Sequence, residues 1–311
     1  MKTFTLPGTD LVVPAIVTGV MRIQEKSDAE VRALFDASLA AGITFFDHAD
    51  IYGNLPAHGC EARFAEALRL TASQRAEIVL QTKAGIVKDG PYFDFSYDHL
   101  VEAVNGSLAA LGTDYIDILL LHRPDALVEP EEVARAFDEL EAAGKVRHFG
   151  VSNHTPAQIH LLKRYVRQPL VANQLQLSIT HAPLITQGLA MNMGALDQSV
   201  DRTIGTLDFC RLNDITIQAW SPFQAGFFTG PFLGNPEFAE LNAVVDRLAA
   251  QYGVPPEAIA TAWITRHPAQ MQVVLGTTNP QRLTAAAQGA DVVLSRAEWY
   301  ELYRAAGHIV P

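Results

Sequence analysis

The sequence predicts a (β/α)8 TIM barrel with a short N-terminal β-hairpin, one domain spanning residues 1–311. Three observations predict it: eight short apolar runs alternate with longer amphipathic stretches, those stretches carry helix start and stop signals, and no linker or composition shift divides the chain. The runs lie at 15–20, 43–47, 78–83, 115–122, 147–153, 170–176, 215–221 and 272–276. Each is short and rich in Val, Ile and Leu, as strands buried on both faces are. A doubly wound sheet would also alternate, but it normally carries G-x-G-x-x-G after its first strand, and none follows here.

Between the runs, helices can be read from their ends. Residues 28–41 follow Ser27, which has capping-box spacing to Glu30, and repeat Val31, Leu34, Phe35 and Leu39 on one face before stopping at Gly42. The stretch 97–111 stops in the same way at Gly112, and 131–143 begins behind Pro130, carries acid in its first turn and stops at Gly144. Residues 2–13, around Leu6-Pro7-Gly8-Thr9, read as the hairpin outside the barrel. The longest interruption, 178–205, is either a substrate-binding loop or a surface excursion.

Composition narrows the function. Nearly half the residues (49%) are hydrophobic, which suits a globular core. A balance of 23 Lys+Arg against 34 Asp+Glu, with no basic cluster beyond pairs such as Lys163-Arg164, argues against a nucleic-acid partner. Two cysteines, Cys60 and Cys210, make neither a disulfide framework nor a metal motif, which suits reduced thiols in the cytoplasm. Pro7, Gly8, Asp10 and Pro14 interrupt the first apolar stretch, and no run of eighteen apolar residues exists, so neither a signal peptide nor a membrane span is expected. No heptad or apolar stripe calls for an obligate protein partner.

In a barrel of this kind chemistry sits at the C-terminal ends of strands. The second run ends in Asp47 with Tyr52 close behind, the third in Lys83 and the fourth in His122. Singly, each has a dull explanation as a turn cap, a loop tip, a snorkelling lysine or a rim histidine. Together they place four proton-handling groups on three successive strand ends. A tyrosine hydroxyl with an ordinary pKa near 10 needs help to give up its proton at neutral pH. A lysine ammonium at about 4 Å attracts the phenolate by about 4 kcal/mol at an effective dielectric near 20, roughly three pKa units before desolvation losses. Asp47 would charge-balance Lys83, and His122 could hydrogen-bond a substrate oxygen. Such a group protonates a developing alkoxide, the step that accompanies hydride addition to a carbonyl.

These segments resemble the aldo-keto reductases. FFDHADIYG, QTKAG and LLLHRPD are similar to that family's F-D-T-A-x-x-Y-G, T-K and L-x-H-x-P-D segments. The resemblance implies Asp47, Tyr52, Lys83 and His122 as a catalytic tetrad with Tyr52 as general acid. It also implies an NADPH (NADP+) cofactor and a small-molecule carbonyl substrate. Ser152 and Asn153 in GVSNH, with Gln174, would hold the carboxamide, and Trp220 would stack on the nicotinamide. Val20 and Met21 would contact the cofactor, and Ser221, Pro222, Phe223, Gln224 and Gly226 would cover the pyrophosphate. Gly276, Thr277, Thr278, Gln281 and Arg282 would hold the adenosine phosphate. That last loop also has a reading independent of family: Asn279 and Pro280 make a good helix start whose N–H groups face outward, and Arg282 supplies positive charge.

The chain departs from the family pattern at Gly276, where a lysine is common, and at Ala285 and Ala286, where acidic and amide residues contact adenine. His48 replaces a small residue, as a packing change or a second titrating group. Two other readings compete: a cofactor-binding sensor with little turnover, like the auxiliary channel subunits that resemble this family, and a glycosidase-like pair of Asp47 with Glu61. Pocket walls are expected from loops around Met21, 55–58, 92–95 and 178–205.

Overall fold

The computed structural model describes residues 1–311 except Leu55 and Phe228. The chain opens with an antiparallel hairpin, β1 (Thr3–Thr5) paired to β2 (Val12–Pro14). Barrel strands β3 (Ile16–Gly19), β4 (Phe45–Asp47) and β5 (Val79–Ala84) follow. A small hairpin, β6 (Ile86–Val87) with β7 (Tyr92–Phe93), interrupts them. Strands β8 (Ile116–Leu121), β9 (Val146–Ser152), β10 (Leu170–Gln176), β11 (Thr216–Trp220) and β12 (Gln272–Leu275) complete a closed eight-stranded barrel. Every strand pairs parallel with its sequence neighbour around the cylinder, and β12 returns to β3 with Val273 opposite Ile16.

Helices form where their signals stand. In α1 (Asp28–Ala40) the Ser27 hydroxyl accepts from the Glu30 N–H at 3.3 Å, while the Glu30 carboxylate accepts from the Ser27 N–H at 2.9 Å. Gly112 closes α4 (Tyr97–Leu111) at φ 61°, a left-handed conformation that costs glycine little, and Pro130 opens α5 (Pro130–Ala142). The second run yields a shorter strand than expected, because the Ile43 N–H is taken by the Ser38 carbonyl at the end of α1 (2.8 Å).

Two apolar clusters hold the barrel. The larger lies between strands and helices. The smaller lies inside the cylinder near the strand starts, where Val17, Phe45, Val79, Ile118 and Val171 meet Leu6 and Val13 of the hairpin. Leu6 is fully buried, so the hairpin plugs the floor of the barrel and leaves the opposite mouth open. No helix among the described residues is long and apolar enough to cross a membrane.

Candidate active site

Strands β4, β5 and β8 bring Asp47, Lys83 and His122 to that mouth, and the turn after β4 carries Tyr52 back over them. Lys83 is completely buried. Its Nζ donates to both Asp47 carboxylate oxygens at 2.7 Å, to the His48 carbonyl at 2.7 Å and to the Tyr52 hydroxyl at 3.0 Å. Burial works most strongly against the charge on Lys83, but Asp47 and Tyr52 together outweigh it and hold the lysine above its ordinary pKa. The Tyr52 and His122 rings meet edge-on with centroids 5.9 Å apart. Burial, then the charges of Lys83 and Arg123, push His122 well below its ordinary value, so its imidazole is neutral.

One expectation is corrected. Burial raises the Tyr52 pKa above 10, more than Lys83 lowers it. The Coulomb attraction is reckoned before desolvation losses, and the cost of putting a phenolate into a dry pocket is the larger effect. The hydroxyl therefore holds its proton, and the lysine acts on the phenolate only as it forms.

Beneath the tetrad runs a column of amides that the sequence reading missed. Asp47 Oδ1 also accepts from Gln81 Nε2 (2.6 Å) and Gln174 Nε2 (3.1 Å). Gln81 and Gln218 exchange hydrogen bonds, Gln218 donates to Gln272, and Gln272 donates to the Pro14 carbonyl at the hairpin. Glutamines within apolar runs look like surface positions in a strand pattern. Only closure of the barrel turns them inward.

His48 is fully buried against Phe64, at 4.8 Å between ring centroids, and neither ring nitrogen has a hydrogen-bond partner among the described residues. Burial lowers its pKa to about 4, so it packs as a neutral ring. Glu61 is also fully buried, accepting from Thr82 Oγ1 at 2.5 Å and lying 2.6 Å from His58 Nδ1. It does not line the mouth, and Asp47 is already paired with Lys83 and held by Gln81 and Gln174. The paired-carboxylate reading therefore has no geometry.

A cavity of about 1050 Å³ opens over the tetrad. Of the expected cofactor residues, Met21, Ser152, Asn153, Gln174, Trp220, Ser221, Pro222, Phe223, Gln224, Gly276, Thr277 and Arg282 line it. Val20, Gly226, Thr278 and Gln281 do not: Val20 is buried, with its N–H on the Asp47 carbonyl at 3.1 Å. The Ser152 hydroxyl donates to the Gln174 carbonyl, Asn153 Nδ2 donates to Ser152, and Trp220 Nε1 donates to Asn153 Oδ1 at 3.2 Å. Arg22, which the sequence reading passed over, donates to the Gly276 carbonyl at 2.9 Å.

At the start of α11 (Pro280–Ala287), Asn279 Oδ1 accepts from the N–H groups of both Gln281 and Arg282. The expected outward N–H cradle is thus partly consumed by its own cap, which leaves Arg282 as the group able to meet a phosphate. Two observations fit a nicotinamide dinucleotide here. Arg282 lines the cavity with no ion pair or hydrogen bond to its side chain among the described residues. Gln174 turns its amide nitrogen inward to Asp47 and Gln218, so its oxygen remains as an acceptor.

The 178–205 excursion and the 92–95 hairpin do not line the cavity among the described residues. Gln198 instead exchanges hydrogen bonds with the Ile309 main chain (2.8 and 2.9 Å), and His308 Nε2 lies 2.6 Å from the Ile179 carbonyl. The excursion is thus tied to residues 308–309 and, through the Ser178 and Thr180 hydroxyls that donate to the Gln224 carbonyl, to the back of the cavity wall, with Ile179, Ala182 and Ala190 buried. Met21, Arg22, Gln24, Glu25, 51–54, Ile86, Lys88 and 221–224 are among the residues that line the cavity; of the expected 55–58 wall, Pro56, Ala57 and His58 do not, and Leu55 lies outside the described residues.

The sequence, compared with known proteins, matches the model of the aldo/keto reductase family over residues 15–306, and the chain belongs to that family. It is 34% identical to the uncharacterized oxidoreductase YcsN of Bacillus subtilis, covering 97% of both chains. It is 35% identical to a 6-dehydroglucose reductase of Agrobacterium fabrum over 94% of each. Among solved structures, a thermostable aldo-keto reductase in complex with the inhibitor epalrestat superposes with a TM-score of 0.77 at 23% identity, over 98% of this chain and all of that one.

Replacing Lys83 with Met leaves Asp47 as an unpaired buried carboxylate, and urea unfolding should show a loss of about 3–5 kcal/mol. Adding Asp47→Asn should recover a large part of that loss. An additive double variant would show that the pair is not coupled. Unfolded His48 takes a proton below pH 6.5 and the folded one only below about 4, so stability from this group falls as the solution is acidified across that window. His48→Asn should therefore lose about 2 kcal/mol less than wild type between pH 7 and pH 5. Parallel pH profiles would contradict this.

Proposed function

We propose that this protein is an NADPH-dependent reductase of aldehydes or ketones in which Asp47, Tyr52, Lys83 and His122 are the catalytic residues and Tyr52 gives the proton. The single observation that carries the reading is the Tyr52 hydroxyl 3.0 Å from a fully buried ammonium that Asp47 holds through both oxygens. Membership of an oxidoreductase family supports it.

The bound nicotinamide would supply hydride to the carbonyl carbon. Tyr52 keeps its hydroxyl protonated at neutral pH and delivers that proton to the carbonyl oxygen as charge develops there. Lys83 already donates to the tyrosine oxygen, so the phenolate forms against a fixed positive charge that needs no reorganisation. Asp47 and the amide column hold that charge in place. His122 stays neutral and can orient the substrate oxygen without adding a second charge. Ser152, Asn153, Gln174 and Trp220 would receive the nicotinamide end. Met21 and residues 221–224 would flank the middle, and Gly276, Thr277 and Arg282 the adenosine phosphate. Buried free thiols at Cys60 and Cys210 suit a reducing cytoplasm.

Tyr52→Phe should lower carbonyl turnover by about 10²–10⁴-fold while NADPH still quenches Trp220 fluorescence. Unchanged turnover would remove Tyr52 from the acid role, and tight NADPH binding by the wild type with no turnover of any carbonyl would favour the sensor. In the same titration Arg282→Gln should weaken NADPH by about 10–100-fold and leave NADH within about twofold. An equal effect on both would show that Arg282 does not read the 2'-phosphate.

A further inference from the structure

Resting on that reading, we propose that the carbonyl substrate carries a carboxylate and that the Arg123 guanidinium seats it. Arg123 follows His122 directly at the end of β8 and lines the cavity. It is half-buried, yet its side chain makes no ion pair and no hydrogen bond among the described residues. Its guanidinium lies over the face of Trp220, at 5.9 Å from the ring centroid, the outer limit of a cation–π contact.

Other arginines withdrawn from solvent are satisfied. Arg75 reaches Asp117, Arg63 reaches Asp28 and Glu66, and Arg266 donates to the Leu294 carbonyl. The chain has 34 acidic side chains against 23 basic ones, so a missing partner for Arg123 is not a shortage of carboxylates. Of the acids that line the cavity or follow Arg123 closely in sequence, Asp47 is held by Lys83, Glu25 accepts from Asn54 Nδ2 and Asp125 from the N–H groups of Phe95 and Leu127, and among the described residues neither these nor Glu257 pairs with Arg123. Burial alone lowers the Arg123 pKa, and no acid raises it. A guanidinium drawn into a cavity wall without a counter-charge is a preformed anion seat, and its planar fork matches a carboxylate through two parallel hydrogen bonds.

A carboxylate suits the seat better than a phosphate. Lys88, the other cation near the tetrad, is committed to the Ile51 and Gly53 carbonyls. Glu25 and Glu257 line the same cavity and would oppose a dianion more than a monoanion.

The test uses the full chain with NADPH and three aldehydes: benzaldehyde, 4-carboxybenzaldehyde and 4-formylphenyl phosphate. Wild type should favour 4-carboxybenzaldehyde over benzaldehyde by at least about tenfold in kcat/KM, carried by KM and shrinking as salt is raised. Arg123→Met should erase that advantage by lowering kcat/KM for 4-carboxybenzaldehyde about tenfold more than for benzaldehyde, and Arg123→Lys should keep part of it. Independently of turnover, benzoate should perturb Trp220 fluorescence at concentrations about tenfold below benzamide, and Arg123→Met should abolish the difference. Equal handling of charged and neutral aldehydes by wild type, equal losses for both in Arg123→Met, or a preference for the phosphate would each overturn the proposal. Benzoate binding through Arg123 with no aldehyde reduced would instead sink the reductase reading and leave the anion seat standing.

Discussion

The architecture of the mouth depends on burying one ion pair. An ammonium placed inside a barrel of aliphatic side chains would lose its proton unless the interior replaced the water it gave up. Here Asp47 supplies two oxygens, the His48 carbonyl a third and the Tyr52 hydroxyl a fourth. Asp47 in turn needs donors, which Gln81 and Gln174 provide. Those amides need partners, which Gln218 and Gln272 provide down to the Pro14 carbonyl. The column is satisfied from mouth to floor, as low-dielectric polar networks must be. It fixes Lys83, and Lys83 fixes where the Tyr52 oxygen can sit.

The loop that carries Tyr52 belongs to the same constraint. The Asp50 N–H donates to the Lys83 carbonyl at 3.1 Å, and the His58 N–H donates to the Asp50 carbonyl at 2.5 Å. His58 then meets Glu61, whose other oxygen takes the Thr82 hydroxyl one position before Lys83. Burial, followed by the charge of Glu61, raises Asp50 to about 7. The turn is thus laced to the strand beneath it at both ends, which leaves the tyrosine little freedom to wander.

Local signals made much of this legible. Capping at Ser27 and Glu30, glycine stops such as Gly112, and short apolar runs marked the alternation, and strand ends marked Asp47, Lys83 and His122. What escaped was non-local. A strand buried on both faces has no period that separates the barrel interior from its exterior, so Gln81, Gln218 and Gln272 carried no sign of pointing inward. The Tyr52 shift depends on burial, which pairwise charge arithmetic does not contain. The 178–205 excursion is placed by Ile309 and His308, far away in sequence. At Asn279 the signal for a helix cap and the signal for a phosphate cradle were the same residues, and only geometry shows that the cap uses the N–H groups of Gln281 and Arg282 itself.

Closure between the first and last barrel strands has a consequence for how the molecule is made. Val273 to Leu275 pair with Ile16 to Thr18, so the seam cannot form until residue 275 has left the ribosome. Until then β3 presents an unpaired edge, and the glutamines of the half-built interior lack the partners that β11 and β12 deliver. Topologies dominated by such distant pairings fold slowly and expose sticky edges meanwhile. Any sheet that forms before residue 275 emerges is open at that edge, and it is in that interval, more than in the finished barrel, that holding chaperones would act.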